Sequence, residues 1–400
     1  MSTVRKPRIV NTSRVLRGLW VSNGISRVQL ARDLGLNKST ISNIIGEMID
    51  KGLVLEVVEG EAGPLGGRKP VHLALNKQYG YVLGLEIRPE SYTVVAVDLT
   101  GGILYSNTEQ AVHTAENFTQ ALRDLLTRLP RDLEWIGFPL MGVGIGISGV
   151  IDTNRGKILG SIPLQFKKPY DFVADIKKDF DLPIFLENDA NCCAWGELAF
   201  HRSKHLRNFI FTLVEFHSNV RKQFYENTSI GFGIVIEGKV YWGSRHSAGE
   251  FRSLFCDPGH MGQLKVSSLE DHFESKPEKM EEFIRELSKH LALFVNTFNL
   301  SQVFLGGDIE KYQDLVMPIL LEEINANWSY ADVVQCDIRF SSLGDKSVAY
   351  GAAGLVLERL FLDPAMMDIG GNTSWGEADA VSGLYKHGKS VSWETVNSSR

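Results

Sequence analysis

The sequence predicts an α/β protein in two parts: an N-terminal winged helix-turn-helix and a larger α/β body of two lobes. Three observations point there. Charge is divided unevenly, residues 13–75 read as three short helices followed by a hairpin, and strand and helix patterns alternate from Tyr81 onward and repeat once. At 400 residues the chain is too long for one ordinary core and suits two or three domains. The expected division is residues 1–76 for the head, 77–364 for the body and 365–400 for a Gly-, Ser- and Asn-rich tail, disordered or an arm.

Charge gives the head and the body different partners. Residues 1–80 carry twelve Lys/Arg against six Asp/Glu, a balance of +6, while the whole chain is −6. A basic head on an acidic body implies a polyanion for the head alone. The four cysteines, Cys192, Cys193, Cys256 and Cys336, form no CxxC pair. That excludes a disulfide framework and a thiolate metal site and fits a reduced, cytoplasmic setting. No apolar stretch of signal-peptide type follows the basic N-terminus. The longest uncharged run, Trp135–Ile151, contains five glycines and Pro139, which fits a buried strand and turn better than a membrane span.

In the head, Ser13–Val21 places Val15, Leu16, Leu19 and Trp20 on one face. Ser26 is the expected N-cap of a second helix, Arg27–Leu34. A third helix, capped by Asn37 or Ser39, runs to about Lys51, with Ile41, Ile44, Ile45, Met48 and Ile49 turned inward. Ala31 is small enough for close helix packing, Gly35 suits a left-handed turn, and Ile41 plugs the core, which together give the helix-turn-helix spacing. The outward face carries Asn37, Lys38, Ser39, Thr40, Ser42 and Asn43, short polar groups suited to phosphates and base edges. Leu53–Val58 and Val71–Leu75 read as the strands of a wing. Arg68 and Lys69 lie at its flexible tip, able to reach a phosphate backbone or a minor groove.

In the body, Tyr81–Ile87 and Tyr92–Leu99 read as a hairpin with a third strand from about Gly102. Phe118–Leu129 is helical, Gly142–Ile147 a strand ending in Ser148-Gly149, Tyr170–Phe180 a helix and Pro183–Leu186 a short buried strand. The second half repeats the plan with strands at Asn208–Val214, Gly231–Glu237 and Lys239–Trp242. A long amphipathic helix, Pro277–Asn299, a strand at Val303–Leu305 and a final helix, Ser347–Leu360, complete it. Two such halves with glycine turns at the strand ends suggest two lobes around a cleft. Gly144-x-Gly146-x-x-Gly149 matches the dinucleotide fingerprint, but Val150–Ile158 reads as a turn and hairpin instead of the required helix, so the match is accidental.

The segments Glu187-Asn188-Asp189-Ala190-Asn191 with Gly196-Glu197, then Ala248-Gly249-Glu250, then Gly306-Gly307 resemble the ROK family over about residues 10–360. That family joins bacterial sugar kinases and sugar-responsive repressors on an actin-like, hexokinase-type fold, and the fused head resembles its repressor branch. The resemblance implies that Asn188, Asp189 and Glu250 bind sugar hydroxyls, with Asp189 at the position of the kinases' general base. Ser148 and Gly149 line the cleft, and Glu270 is a further sugar contact. Read without the resemblance, Asn188-Asp189 is equally a strand-to-helix cap. The family's sugar- and zinc-binding His falls on Ser253 and its zinc cysteines on Met261, Gln263 and Ser268, so no metal is expected, although Cys256, His260 and His272 are nearby.

The kinases' Asp-x-Gly-Gly-Thr phosphate loop corresponds here to Glu86-Ile87-Arg88-Pro89-Glu90-Ser91, and their Gly-Thr-Gly loop to Asn227-Thr228-Ser229. Pro89 removes an amide donor and no glycine allows close phosphate approach. The expected protein is therefore not an enzyme and takes no cofactor. It is a sugar-responsive DNA-binding regulator, a homodimer or higher homo-oligomer on an inverted-repeat operator, with a small sugar as effector and no membrane association. A bifunctional sugar kinase and a ligand-independent regulator under a protein partner are the alternatives.

Overall fold

The computed structural model describes residues 5–22, 24–58, 71–201, 206–216, 228–260, 262–266 and 276–367. Helices α1 (Arg5–Ser22), α2 (Arg27–Leu34) and α3 (Lys38–Asp50) lead into β1 (Val54–Val58) and β2 (Val71–Leu75), which pair antiparallel. Ser26 caps α2 as expected, its hydroxyl accepting from Gln29 N at 3.2 Å. Gly35 ends α2 at φ 61°, a left-handed turn that a side chain would strain, and this turn sets the angle between α2 and α3. Val15, Leu16 and Leu19 of α1 pack with Ile41, Ile45 and Met48 of α3. The wing tip, with Arg68 and Lys69, and the expected tail beyond residue 367 lie outside the described residues.

The body holds two sheets of one design. The first comprises β3 (Tyr81–Ile87), β4 (Ser91–Asp98), β5 (Ile103–Gln110), β6 (Leu140–Ile147) and β9 (Ile184–Asn188), in the order β5-β4-β3-β6-β9. The hairpin β7 (Val150–Asp152) and β8 (Lys157–Gly160) stands apart beside it. The second comprises β10 (Phe209–Phe216), β11 (Thr228–Ile236), β12 (Lys239–Val240), β13 (Gln302–Gly307) and β14 (Asp337–Phe340), in the order β12-β11-β10-β13-β14. In each, three antiparallel strands are followed by two parallel ones. Parallel pairs need crossovers, which helices provide. They are α4 (Phe118–Asp132) and α5 (Phe172–Ile176) in the first lobe and α7 (Pro277–Phe298) and α8 (Gln313–Ala326) in the second, while α6 (Asp189–Phe200) links the two sheets and α9 (Ser347–Leu362) follows the last strand.

Three readings change, the first being that α1 begins at Arg5, ahead of the expected Ser13. The helix expected over 170–180 is only α5, because Tyr170 is held extended by two backbone bonds with Ile158, at 3.0 and 2.8 Å. Helix α8 and strand β14 were not foreseen. Pro318 lies inside α8, where it interrupts the sequence signal without stopping the helix.

Helix α9 is the seam of the molecule. One side packs against β3, β6 and α6. A Cβ at Gly351 would overlap the carbonyl oxygen of Cys192, so only glycine lets α9 and α6 approach this closely. The C-terminal part of α9 meets α1: Leu357, Leu360 and Phe361 join the head's hydrophobic core, and the Trp20 and Phe361 rings lie 5.0 Å apart edge to face. Arg17 and Glu358 form an ion pair at the border of this contact.

Candidate functional site

β9 runs directly into α6, and the junction carries the Asn188-Asp189 pair. Asn188 is the N-cap: its Oδ1 accepts from Asn191 N at 3.1 Å, and its Nδ2 donates to Gly149 O at 3.0 Å. The capping role weighed in the sequence is thus present, and it ties α6 to the turn after β6. Behind it, Glu187 is fully buried and accepts from Asn188 N at 2.9 Å, Asn191 Nδ2 at 3.2 Å, Trp195 Nε1 at 3.4 Å and Trp242 Nε1 at 2.9 Å. A carboxylate this well satisfied fixes geometry instead of meeting a ligand.

A cavity of about 310 Å³ opens where the ends of β3, β6 and β9 meet the end of β10 and the start of β11. Asp189 and Ser148 line it, while Asn188, Gly149 and Glu250 do not. Its remaining polar wall comes from residues not picked out as ligands in the sequence, among them Glu86, Arg88, Gln165, Glu215 and Thr228. Arg88 joins the two lobes, with Nε donating to Glu86 at 2.7 Å and Nη2 lying 2.5 Å from Glu215. Gln165 adopts φ 63°, an uncommon conformation for a non-glycine residue on a cavity wall.

Carboxylates dominate this wall. Burial, then the charges of Glu215, Glu250 and Glu86, push Asp189 up to about 8, against one opposing bond from Ala190 N. Burial pushes Glu86 up to about 7, although Arg88 works in the other direction. Burial opposes the charge on Arg88, but Glu86 and Glu215 together hold its pKa above the ordinary range. His113, also on the wall, is shifted down by burial and is bonded through Nδ1 to Arg88 O at 2.7 Å.

The second lobe contributes Glu250 from the turn after β12. Phe232 N donates to Gly249 O at 3.2 Å, which holds this turn against β11 within electrostatic range of Asp189. Nearby, Ser253 is buried and bonded to His290 Nε2 at 3.0 Å. Gln263 cross-links Ile230 and Phe251 through its side chain. Hydrogen bonds therefore engage Ser253 and Gln263, two positions where the resemblance places zinc ligands, while Met261 and Ser268 lie outside the described residues. His260 donates to Leu264 O at 2.8 Å, and the Cys256 thiol lies 3.7 Å from Gly262 O. Glu270 and His272 lie outside the described residues.

In the head, Asn37, Lys38, Ser39, Ser42 and Asn43 are exposed and Thr40 half-buried, while Ile41, Ile44, Ile45 and Met48 are buried. The N-terminal half of α3 therefore presents one polar face. Asn37 occupies the N-cap position without a side-chain cap bond.

Residues 82–262 match the ROK family. The xylose repressor of Bacillus spizizenii is 27% identical over 90% of this chain and 97% of its own length. The N-acetylglucosamine repressor of Escherichia coli is 22% identical over 87% of this chain and 92% of its own. Among solved structures, a ROK family transcriptional regulator, a homologue of the Escherichia coli MLC protein, aligns with a TM-score of 0.74 at 18% identity, covering 90% of this chain and 98% of that one. A ROK family glucokinase from Streptomyces griseus, in complex with glucose and AMPPNP, aligns with a TM-score of 0.55 at 20% identity, covering 69% of this chain and 99% of that one. The repeated five-stranded sheets and these likenesses establish an actin-like, kinase-type α/β fold, and the match to the ROK family falls within the body of this chain.

Proposed function

We propose that this chain is a sugar-responsive DNA-binding transcription regulator, a repressor of carbohydrate-use genes, whose kinase-like body senses the effector. The observation that carries the reading is the fusion of two units through one helix. α9 is packed against α6, which begins at Asp189, and against α1 of the basic head. Residues 1–76 act as a winged helix-turn-helix, with Asn37, Lys38, Ser39, Thr40, Ser42 and Asn43 facing the major groove and Arg68 and Lys69 reaching the backbone. Residues 77–364 form the sensor. Asp189 and Ser148 face its cleft, Asn188 and Gly149 support them, Glu250 acts on Asp189 from the second lobe, and Glu270 adds a contact.

The relatives named as xylose and N-acetylglucosamine repressors support this reading. So do Arg88 and Pro89 at the position of the kinases' first phosphate loop, where the Arg88 guanidinium is held between Glu86 and Glu215. On this reading the chain transfers no phosphoryl group. Two copies bind an inverted repeat, and a sugar that prefers one degree of lobe closure shifts the spacing of the heads.

The test is fluorescence anisotropy of the full chain on DNA from the control region of its own operon, with and without D-xylose, N-acetylglucosamine and D-glucose. Binding should weaken steeply with salt. Ser42→Ala and Asn43→Ala should change sequence preference, and one sugar should change affinity. Salt-independent binding, or sugar-dependent ADP release from ATP that requires Asp189, would overturn the reading.

A further inference from the structure

We propose that the cavity between the lobes takes an uncharged polyhydroxyl compound, gripped by Glu86 of the first lobe and Thr228 of the second. The inference rests on the sensor reading above and deepens it by naming two contacts and a ligand class.

Two unpartnered polar atoms point to a ligand. Glu86 is 3% exposed and Thr228 6% exposed, both line the cavity, and Glu86 Oε2 and Thr228 Oγ1 are buried without a hydrogen-bond partner. Buried polar atoms are nearly always paired, and leaving one unpaired is costly, so two on residues that line one cavity, one from each lobe, call for a shared partner. Glu86 Oε1 is already taken by Arg88 Nε, which fixes the carboxyl group and leaves Oε2 to accept a hydrogen bond when ionised or donate one when protonated. Thr228 Oγ1 can donate or accept. A sugar hydroxyl offers one donor and two acceptor sites and suits both.

Charge decides against an anionic ligand. Among the described lining residues are four carboxylates, Glu86, Glu90, Asp189 and Glu215, and a single arginine. That arginine is engaged by Glu86 at 2.7 Å and Glu215 at 2.5 Å, so its charge is met before any ligand arrives. A phosphate placed here would have to displace one of these carboxylates and sit beside the others, and like charges at close range repel strongly in a partly buried site. Burial and mutual repulsion already push Asp189 and Glu86 toward the protonated form, so the site resists a further negative charge. A ligand touching both residues also spans the lobes, which ties its binding to their closure.

Isothermal titration calorimetry on the full chain tests this with D-xylose, D-glucose, N-acetylglucosamine, D-glucose 6-phosphate and ATP. At least one uncharged sugar should bind, with the phosphorylated probes tenfold weaker or more. Glu86→Gln and Thr228→Val should each weaken that sugar about tenfold or more, and Thr228→Ser should restore it. Melting points near wild type check that each variant is folded. If Glu86→Gln is unstable, the Thr228 pair decides. Equal or tighter binding of the phosphorylated probes overturns the inference, as does wild-type affinity in Thr228→Val. If Asp189→Asn abolishes binding while Glu86→Gln and Thr228→Val do not, the inference fails and the sensor reading survives. If none of these probes binds, both fail.

Discussion

Replacing Asp189 with asparagine should make the protein more stable and at the same time insensitive to its effector. The carboxyl stands at the start of α6, on the wall of a cavity that also holds Glu86 and Glu215, and burial and these charges push it from the ordinary 3.8 up to about 8. Between those two values the folded protein keeps a proton that the unfolded chain has released. Stability therefore falls as pH rises through this window and levels off above about 8, with a limiting slope of about 1.4 kcal/mol per pH unit for one such group. From 3.8 to pH 7 the ceiling is about 4 kcal/mol; partial solvent contact and local relaxation reduce the expected gain for Asp189→Asn to about 1–3 kcal/mol. Asparagine keeps the shape and the bond to Ala190 N, so the change isolates the charge. Urea unfolding of both proteins at pH 4, 5.5, 7 and 8 measures it. The curves should meet near pH 4 and separate toward pH 8, and operator release by sugar should disappear in the variant. Parallel pH profiles, or a variant less stable at pH 7, would refute the electrostatic reasoning. Normal sugar release would refute the assignment of the site.

Two further outcomes follow from the head and its seam. Ser26→Ala removes the hydroxyl that caps α2 and should cost about 0.5–2 kcal/mol, read as a lower melting point of the head and weaker operator binding. Phe361→Ala removes a fully buried ring stacked edge to face on Trp20 and should cost about 3–5 kcal/mol; calorimetry should then resolve separate unfolding of head and body, whereas one unchanged transition would show that the seam is not cohesive.

The fold was legible where local pattern and tertiary demand agree. Tyr81–Ile87 reads as a strand because an apolar run lies between Gly80 and Pro89, and the strand has those bounds. Arg27–Leu34 reads as a helix because Ser26 can cap it and Gly35 can end it, and both do. Legibility failed where a distant partner decides. Tyr170 has helical neighbours but is captured by Ile158 across a loop, and Pro318 argues against a helix that the packing of Val316, Ile319 and Leu320 in the second lobe's core sustains.

The site divides in the same way, for a reason of chemistry. Asp189 and Ser148 stand in segments whose local order already shows a strand end followed by a turn or cap, so they can be found in one dimension. Glu86, Arg88, Glu215 and Thr228 cannot. Each reads alone as an ordinary polar residue at a strand end, and their chemistry exists only because the last residues of β3 and β10 meet across two lobes. In the sequence, Arg88 and Pro89 register as the loss of a phosphate loop. In the fold, the same arginine supplies a cation that holds two buried carboxyl groups in place, leaving Glu86 Oε2 free for a hydrogen bond. On the proposed reading, losing one recognition chemistry and gaining another are the same substitution, and only the second half of that change needs three dimensions to be seen.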